Sequence, residues 1–299
     1  MHETYMQRCL ELAQLGLRNA MPNPSVGSVV VYNDKIIGEG YTSPYGGNHA
    51  EVNAISNVKD KELLSESTLY VSLEPCSHHG KTPPCIDLLV RYKLKQVVIG
   101  CTDSNPLVTG KGIQRLKEAS IKVVTDVLKD RCRELNKRFF TFQEKRRPYI
   151  ILKWAQSSDG FIDGTRIDAE PAAKITAHQS NVLVHKWRSE EMAIMVGTNT
   201  AILDNPSLTV RHLYGTNPTR VVIDRKNKLP ISLAIFDGAA PTICFTANHS
   251  QVENDNEWVR IDFKNPLEEM LTYLYGRNIL SLFVEGGQKL HQSFIDQGL

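Results

Sequence analysis

Leu69-Tyr-Val-Ser-Leu73 and, further along, Gln96-Val-Val-Ile-Gly100 are continuous apolar runs of strand length. Runs that do not alternate with polar residues belong to strands buried on both faces, as in a sheet covered by helices on each side. Helical patterns lie around them, at 49–57, at 85–92 and again after Gly112. Upstream, Tyr5, Met6, Cys9, Leu10, Leu12, Ala13 and Leu17 make an apolar stripe of helical period, which Met21-Pro22-Asn23-Pro24 ends. Residues 26–32 and 35–41 then read as two strands joined at the turn signal Asn33-Asp34, a hairpin. The alternation of β and α elements predicts a sheet layered with helices.

Residues 126–144 read as one more helix, and Glu144-Lys-Arg-Arg-Pro148 breaks it. Three exposed charges before a proline read as a solvated linker rather than a phosphate-binding patch. The pattern restarts with Tyr149-Ile-Ile-Leu-Lys-Trp154, and further strands are expected near 193–197, 220–224, 242–245 and 281–284. Two α/β domains follow from this, 1–145 and 149–299. The length of 299 residues suits that division, since one domain takes about 100–200 residues.

Composition narrows the function. There are 35 Lys+Arg against 33 Asp+Glu, a net charge of +2, which gives no general attraction to nucleic acid or to an anionic membrane. No apolar run approaches the ~20 residues that cross a bilayer, and the first residues alternate polar and apolar rather than forming a signal peptide. Six cysteines, Cys9, Cys76, Cys85, Cys101, Cys132 and Cys244, are too few and too scattered for a disulfide framework. A cytoplasmic protein with buried thiols or thiol metal ligands is expected.

Three segments of the first domain carry chemistry: His49-Ala-Glu51, Glu74-Pro75-Cys76 and Pro83-Pro84-Cys85. A catalytic zinc takes three protein ligands of N or S type and keeps a fourth position for water. His49, Cys76 and Cys85 supply that set, and two thiolates suit zinc better than calcium or magnesium. Zinc lowers the pKa of bound water to about 7, and Glu51 is placed to shuttle the proton to a leaving amine. Residues i and i+2 inside a helix do not face each other, so His49 and Glu51 converge only if the helix begins there. Pro83-Pro84 likewise sets Cys85 at a helix start, where the positive dipole end favours thiolate. A purely structural zinc with His78 or His79 as fourth ligand is the alternative, and it leaves Glu51 unexplained. Cys9, Cys101, Cys132 and Cys244 receive no role.

His-x-Glu with a downstream Pro-Cys…Cys is the signature of zinc nucleobase deaminases. The usual gap between the cysteines is two residues, whereas eight separate Cys76 from Cys85. Glu74-Pro-Cys-Ser-His-His-Gly-Lys-Thr-Pro-Pro-Cys85 closely resembles the deaminase half of the bifunctional deaminase/reductase family of riboflavin biosynthesis. Pro22-Asn-Pro-Ser-Val-Gly27 and Asp103-Ser-Asn-Pro-Leu-Val-Thr-Gly-Lys-Gly112 resemble the same family. The resemblance implies a cytidine-deaminase-like α/β/α domain in which His49, Cys76 and Cys85 bind zinc and Glu51 shuttles protons. It also implies a phosphoribosylated diaminopyrimidinone substrate that loses its 2-amino group as ammonia. One departure is Thr42, where the family often carries a histidine.

In the second domain no Gly-x-Gly-x-x-Gly follows a strand, so a Rossmann dinucleotide site is not indicated. The strand Leu282-Phe-Val-Glu285 runs instead into Gly286-Gly287 and a helical pattern. Such a junction offers N–H groups to a phosphate, or it serves close packing alone. Lys153-Trp-Ala-Gln-Ser-Ser-Asp-Gly160, Val196-Gly-Thr-Asn-Thr200, Asp204-Asn-Pro-Ser-Leu-Thr-Val-Arg211 and Val284-Glu-Gly-Gly287 resemble the family's reductase half. That resemblance implies a dihydrofolate-reductase-like α/β domain that uses NADPH to reduce ribosyl to ribityl. It implies that Ala155, Thr200, Asp204 and the helix start at Gly287 contact the cofactor, and that Arg188, Leu208, Arg211 and Glu285 contact the sugar phosphate. Asp204-Asn-Pro206 also reads as a plain turn and Arg211 as a surface charge. Ala172-Ala173-Lys174 stands where the family commonly has Ser-x-Trp, and relatives continue past Leu299 through further strands, so an open sheet edge and a homodimer are expected. A deaminase of RNA or DNA bases, a chain with an inactive reductase half and a non-catalytic zinc module are the competing readings. Near-neutral charge and the lack of a basic, aromatic-interleaved stretch count against the first of these.

Overall fold

In a computed structural model that describes residues 1–77, 83–105, 108–164 and 174–299, the chain forms two compact units, Met1–Lys145 and Arg146–Leu299. The first contains α1 (His2–Ala20), β1 (Gly27–Tyr32), β2 (Lys35–Tyr41), α2 (Ala50–Ser56), β3 (Thr68–Leu73), α3 (Cys85–Arg91), β4 (Gln96–Cys101), α4 (Lys111–Glu118), β5 (Lys122–Val124), α5 (Lys129–Leu135) and α6 (Lys137–Lys145). Its sheet runs β2-β1-β3-β4-β5. β1 pairs antiparallel with β2 and β3, and the pairs β3–β4 and β4–β5 are parallel. The hairpin turn uses positive φ at both Asn33 and Asp34, the backbone that matches strand twist in a two-residue loop.

Close approach of helices to the sheet shows the layering. A Cβ on Gly27 would strike the backbone of Cys9 in α1, and one on Gly40 would strike Ala54 in α2. Gly40 pairs with Ser28, the neighbour of Gly27 in β1, so α1 and α2 lie on opposite faces of the sheet. β3 and β4 are buried nearly throughout, as continuous apolar runs require.

The second unit contains β6 (Tyr149–Leu152), α7 (His178–Glu190), β7 (Ala193–Val196), α8 (Thr198–Asp204), β8 (Thr219–Ile223), β9 (Thr242–Thr246), β10 (Gln251–Glu253), β11 (Asn256–Arg260), α9 (Pro266–Gly276), β12 (Ser281–Val284) and α10 (Gln288–Asp296). Its sheet order is β10-β11-β9-β8-β7-β12-β6. Only β10 runs antiparallel to its neighbour. Successive residues feed two cores: Ala193, Met195, Leu282 and Val284 pack with α9 and α10, whereas Ile194, Val196 and Phe283 pack with Ala201 and Ile235. This is the period-two signature of a sheet covered on both sides.

Residues 126–144 do not form the single expected helix. The helix breaks at Asn136, which is buried and spends its side chain elsewhere. Its Oδ1 accepts from Ser25 N at 2.9 Å and its Nδ2 donates to Ser25 O at 2.8 Å. The strands β5, β10 and β11 are not anticipated from the sequence; β5 and β10, at three residues each, are too short for a periodic signal.

Replacing Asn136 by Ala strands both backbone groups of buried Ser25, so we expect the variant to lose about 2–4 kcal/mol. Urea unfolding followed by far-ultraviolet circular dichroism measures it.

Candidate active sites

In the first unit three segment ends converge. His49 is the N-cap of α2 in extended conformation, and Glu51 follows within the first turn. Both therefore sit at a helix start, as their spacing demands. Cys85 is the first residue of α3, behind Pro84 at its N-cap. Cys76 lies just past the end of β3. The ligand atoms of His49, Cys76 and Cys85 all lie within 4.8 Å of one another.

His49 Nδ1 stands 3.4 Å from Cys76 Sγ and 3.3 Å from Cys85 Sγ. A tetrahedral zinc with bonds of about 2.0 Å to nitrogen and about 2.3 Å to sulfur has N···S edges of about 3.5 Å. The donor set and its spacing therefore fit zinc. Hydrogen bonds from the Cys85 thiol, the His49 ring and the Cys85 N–H hold the Cys76 thiol well below its ordinary range. Cys85 is pushed well up by its bond to Cys76 and by burial. Metal binding at such a pair would require both sulfurs as thiolates and would release protons. His78 and His79, the alternative fourth ligands, lie outside the described residues.

Glu51 is buried. Burial first, and the Cys76 thiolate second, push its carboxyl up to about 7. A carboxyl poised near neutrality beside a nucleophilic centre suits proton transfer in both directions. Thr42 ties strand to loop, because its Oγ1 accepts from Val26 N at 2.9 Å and donates to Val26 O at 3.3 Å.

In the second unit a cleft of about 1030 Å³ opens at the carboxyl ends of β6, β12 and β7, the edge where parallel α/β sheets bind ligands. Ala155, Thr200, Asp204 and Gly287 all line it, and so does Glu285. The two glycines differ. A Cβ on Gly286 would lie 2.5 Å from Leu290, so that glycine serves packing, whereas a Cβ on Gly287 would meet nothing closer than Thr200 Oγ1 at 3.8 Å. Gly287 is the N-cap of α10 and leaves the helix start open to the cleft, a cradle suited to a phosphate of a dinucleotide.

Arg188 engages Glu285 through both arms of its guanidinium, Nε to Oε1 at 2.7 Å and Nη2 to Oε2 at 2.8 Å. Its Nη1 donates to Thr209 O at 3.3 Å. Leu208 is buried and holds φ at 53°, a left-handed backbone that a leucine adopts only when its surroundings impose it. Arg211 is exposed, hydrogen-bonds Ser207 and Thr209 through Nη1, and donates its backbone N–H to His185 Nδ1 at 3.0 Å. Arg188, Leu208 and Arg211 do not line the described cleft. Ala172 and Ala173 lie outside the described residues, while Lys174, Ile175 and Thr176 line the cleft. Lys153, Trp154 and Asn181 also line it and were not singled out from the sequence. For Lys153 a signal existed, since it directly follows a strand whose carboxyl end faces the site.

A chain with a zinc-type thiolate site in one α/β unit and a nucleotide-sized cleft in a second defines a class: deaminase and reductase joined in one polypeptide. Residues 1–101 match the cytidine and deoxycytidylate deaminase zinc-binding region, and residues 148–299 match the RibD C-terminal domain. The chain belongs to the RibD family. It is 40% identical to the riboflavin biosynthesis protein RibD of Bacillus amyloliquefaciens over all of this chain and 82% of that protein. The Escherichia coli K12 RibD is 35% identical over 99% of this chain and 84% of its own length. Among solved structures, the diaminohydroxyphosphoribosylaminopyrimidine deaminase/5-amino-6-(5-phosphoribosylamino)uracil reductase of Thermotoga maritima superposes with a TM-score of 0.90 at 40% identity, covering 99% of this chain and 84% of that one.

Neutral His185 is the acceptor that fixes the Arg211 backbone. Burial first, then Arg188, lowers its pKa to about 4, against about 6.5 when unfolded. The stability it contributes is whole above pH 6.5 and is lost as pH falls towards 4. All three tryptophans, Trp154, Trp187 and Trp258, belong to the second unit. We expect the unfolding midpoint read by tryptophan fluorescence to fall across that window. His185→Asn, which keeps an acceptor at the Nδ1 position and removes the titration, flattens the fall.

Proposed function

We propose that His49, Cys76 and Cys85 are the zinc ligands and Glu51 the proton shuttle of the deaminase half of a bifunctional riboflavin-biosynthesis enzyme. The observation that carries this reading is a single imidazole nitrogen facing two sulfurs, with a buried carboxyl in the first turn of the helix that the imidazole residue caps. Bound zinc supplies the Lewis acid that makes water a nucleophile at neutral pH. Glu51 accepts the proton of the attacking water and delivers it to the departing ring 2-amino group, which leaves as ammonia.

The second half is the NADPH-dependent reductase that converts the ribosyl group of the deaminated product to ribityl. We assign Ala155, Thr200, Asp204 and Gly287 to the cofactor, because they share one cleft and Gly287 leaves its helix start open. NADPH supplies the hydride, so the protein contributes alignment. Glu285 faces the cleft and is held by the bidentate Arg188 fork, the stronger geometry of a charged pair. In this assignment Arg188 acts on the sugar-phosphate site through Glu285, which it holds in place. The left-handed Leu208 shapes the loop that presents Arg211, whose exposed guanidinium receives the phosphate.

The substrate is a small molecule, and among the described residues no helix is long and apolar enough to cross a membrane. We read the enzyme as a homodimer, supported by β6, which ends the described sheet with all four side chains only half-buried. A cytoplasmic setting is supported by six unpaired thiols, two of which must stay reduced to hold metal.

Glu51→Gln keeps all three ligands. We expect it to retain zinc by metal analysis while ammonia release falls at least about 100-fold; ammonia release at the wild-type rate removes Glu51 from the mechanism. Arg211→Ala is expected to lower kcat/KM for NADPH oxidation about 10–100-fold with ammonia release unchanged. Equal loss of both activities assigns the effect to folding.

A further inference from the structure

Glu74 ends the strand that leads to Cys76, and the reactions above give it no role. It is buried, 3% exposed, and its own N–H donates to Cys101 O at the end of β4, at 2.9 Å. Its carboxylate gathers four backbone N–H groups from one distant stretch. Oε2 accepts from Asp103 N at 3.4 Å and Gly110 N at 3.1 Å, and Oε1 accepts from Gly112 N at 3.2 Å and Ile113 N at 3.4 Å. The segment that follows β4 is thus drawn closed at both ends, residue 103 and the first turn of α4, onto one side chain.

A second observation places that turn against the zinc-ligand segment itself. A Cβ on Gly112 would lie 2.5 Å from Pro75 O, so α4 rests on the peptide between Glu74 and Cys76. Further restraints on Cys76 come from α3, where Ile86 N donates to Cys76 O at 3.3 Å and Cys85 N to Cys76 Sγ at 3.3 Å, and from the His49 ring at 3.4 Å. Cys76 is therefore pinned from two sides, by the second thiol's helix and by α4 acting through Glu74.

We propose that Glu74 is a positioning residue of the metal centre, whose carboxylate clamps the first turn of α4 onto Pro75 and so fixes Cys76 for zinc. The proposal rests on the reading of Cys76 as a zinc ligand. Outer-shell groups that orient ligands typically change metal affinity about 10–100-fold when removed. Glu74→Gln preserves volume but replaces one accepting oxygen by an NH₂ group that faces two N–H donors.

The test is zinc affinity of the full chain, measured by competition with a chromogenic chelator, with the thermal midpoint recorded in parallel. Glu39→Gln serves as control, since it breaks the Arg8–Glu39 pair of the same unit, at 2.7 Å, a carboxylate held from α1 rather than by the ligand segments. We expect wild type and Glu39→Gln to hold one zinc with equal affinity, and Glu74→Gln to bind at least about tenfold more weakly. A Glu74→Gln protein that melts earlier yet binds zinc as tightly as wild type overturns the proposal and leaves Glu74 a stabilising cap. If that variant does not fold, Glu74→Asp decides in the same way, because its shorter arm cannot reach all four N–H groups. Wild-type protein that holds no stoichiometric zinc defeats the ligand reading instead, a separate outcome.

Discussion

Two sulfurs and an imidazole nitrogen within 4.8 Å of one another are the constraint on which the first unit depends. Bare thiols do not gain much by such proximity, and a buried carboxyl beside them costs stability unless something compensates. The fold meets the constraint with ends of elements rather than their middles. His49 stands at the start of α2, Cys85 opens α3, and Cys76 follows the end of β3. Helix starts present N–H groups and positive potential, which favour thiolate over thiol. Cys85 N–H donating to Cys76 Sγ is that effect at a single bond.

The second unit solves a different problem with the same edge of a parallel sheet. It must admit an extended dinucleotide, so it keeps its strand ends open where the first unit closes them around an ion. Gly286 and Gly287 divide the work at that edge. The first allows Leu290 to pack under the turn, and the second leaves space above it. A sequence pattern shows only two glycines; their separate reasons become visible once a Cβ is placed on each.

Much of this was legible in the sequence because it rested on local rules. The buried strands 69–73 and 96–100, the hairpin at Asn33-Asp34 and the helix starts at His49 and Cys85 follow from period, turn chemistry and the i,i+2 argument. What escaped depends on partners far away in the chain. The break in 126–144 belongs to Asn136, whose reason is Ser25. Arg188 enters from the sequence only as an implied sugar-phosphate contact, and its pairing with Glu285 appears only in the fold. His185 carries no signal of its own, and its role as acceptor for Arg211 exists only in the folded chain. Short edge strands such as β10, three exposed residues long, offer no pattern to read.

Glu74 and Glu285 sharpen that distinction. Each is the first residue after a buried strand, β3 in one unit and β12 in the other, so sequence position alone makes them equivalent. Their neutralising partners separate them. Glu74 meets neutral backbone N–H groups on both oxygens and is closed off from solvent, an arrangement that locks two segments together and leaves no lone pair directed at a ligand. Glu285 meets a guanidinium fork from one side and still lines the cleft. A planar fork fixes the carboxylate plane while leaving one face open. A carboxylate surrounded by backbone donors becomes part of the frame, and one held by a side-chain fork remains available to chemistry.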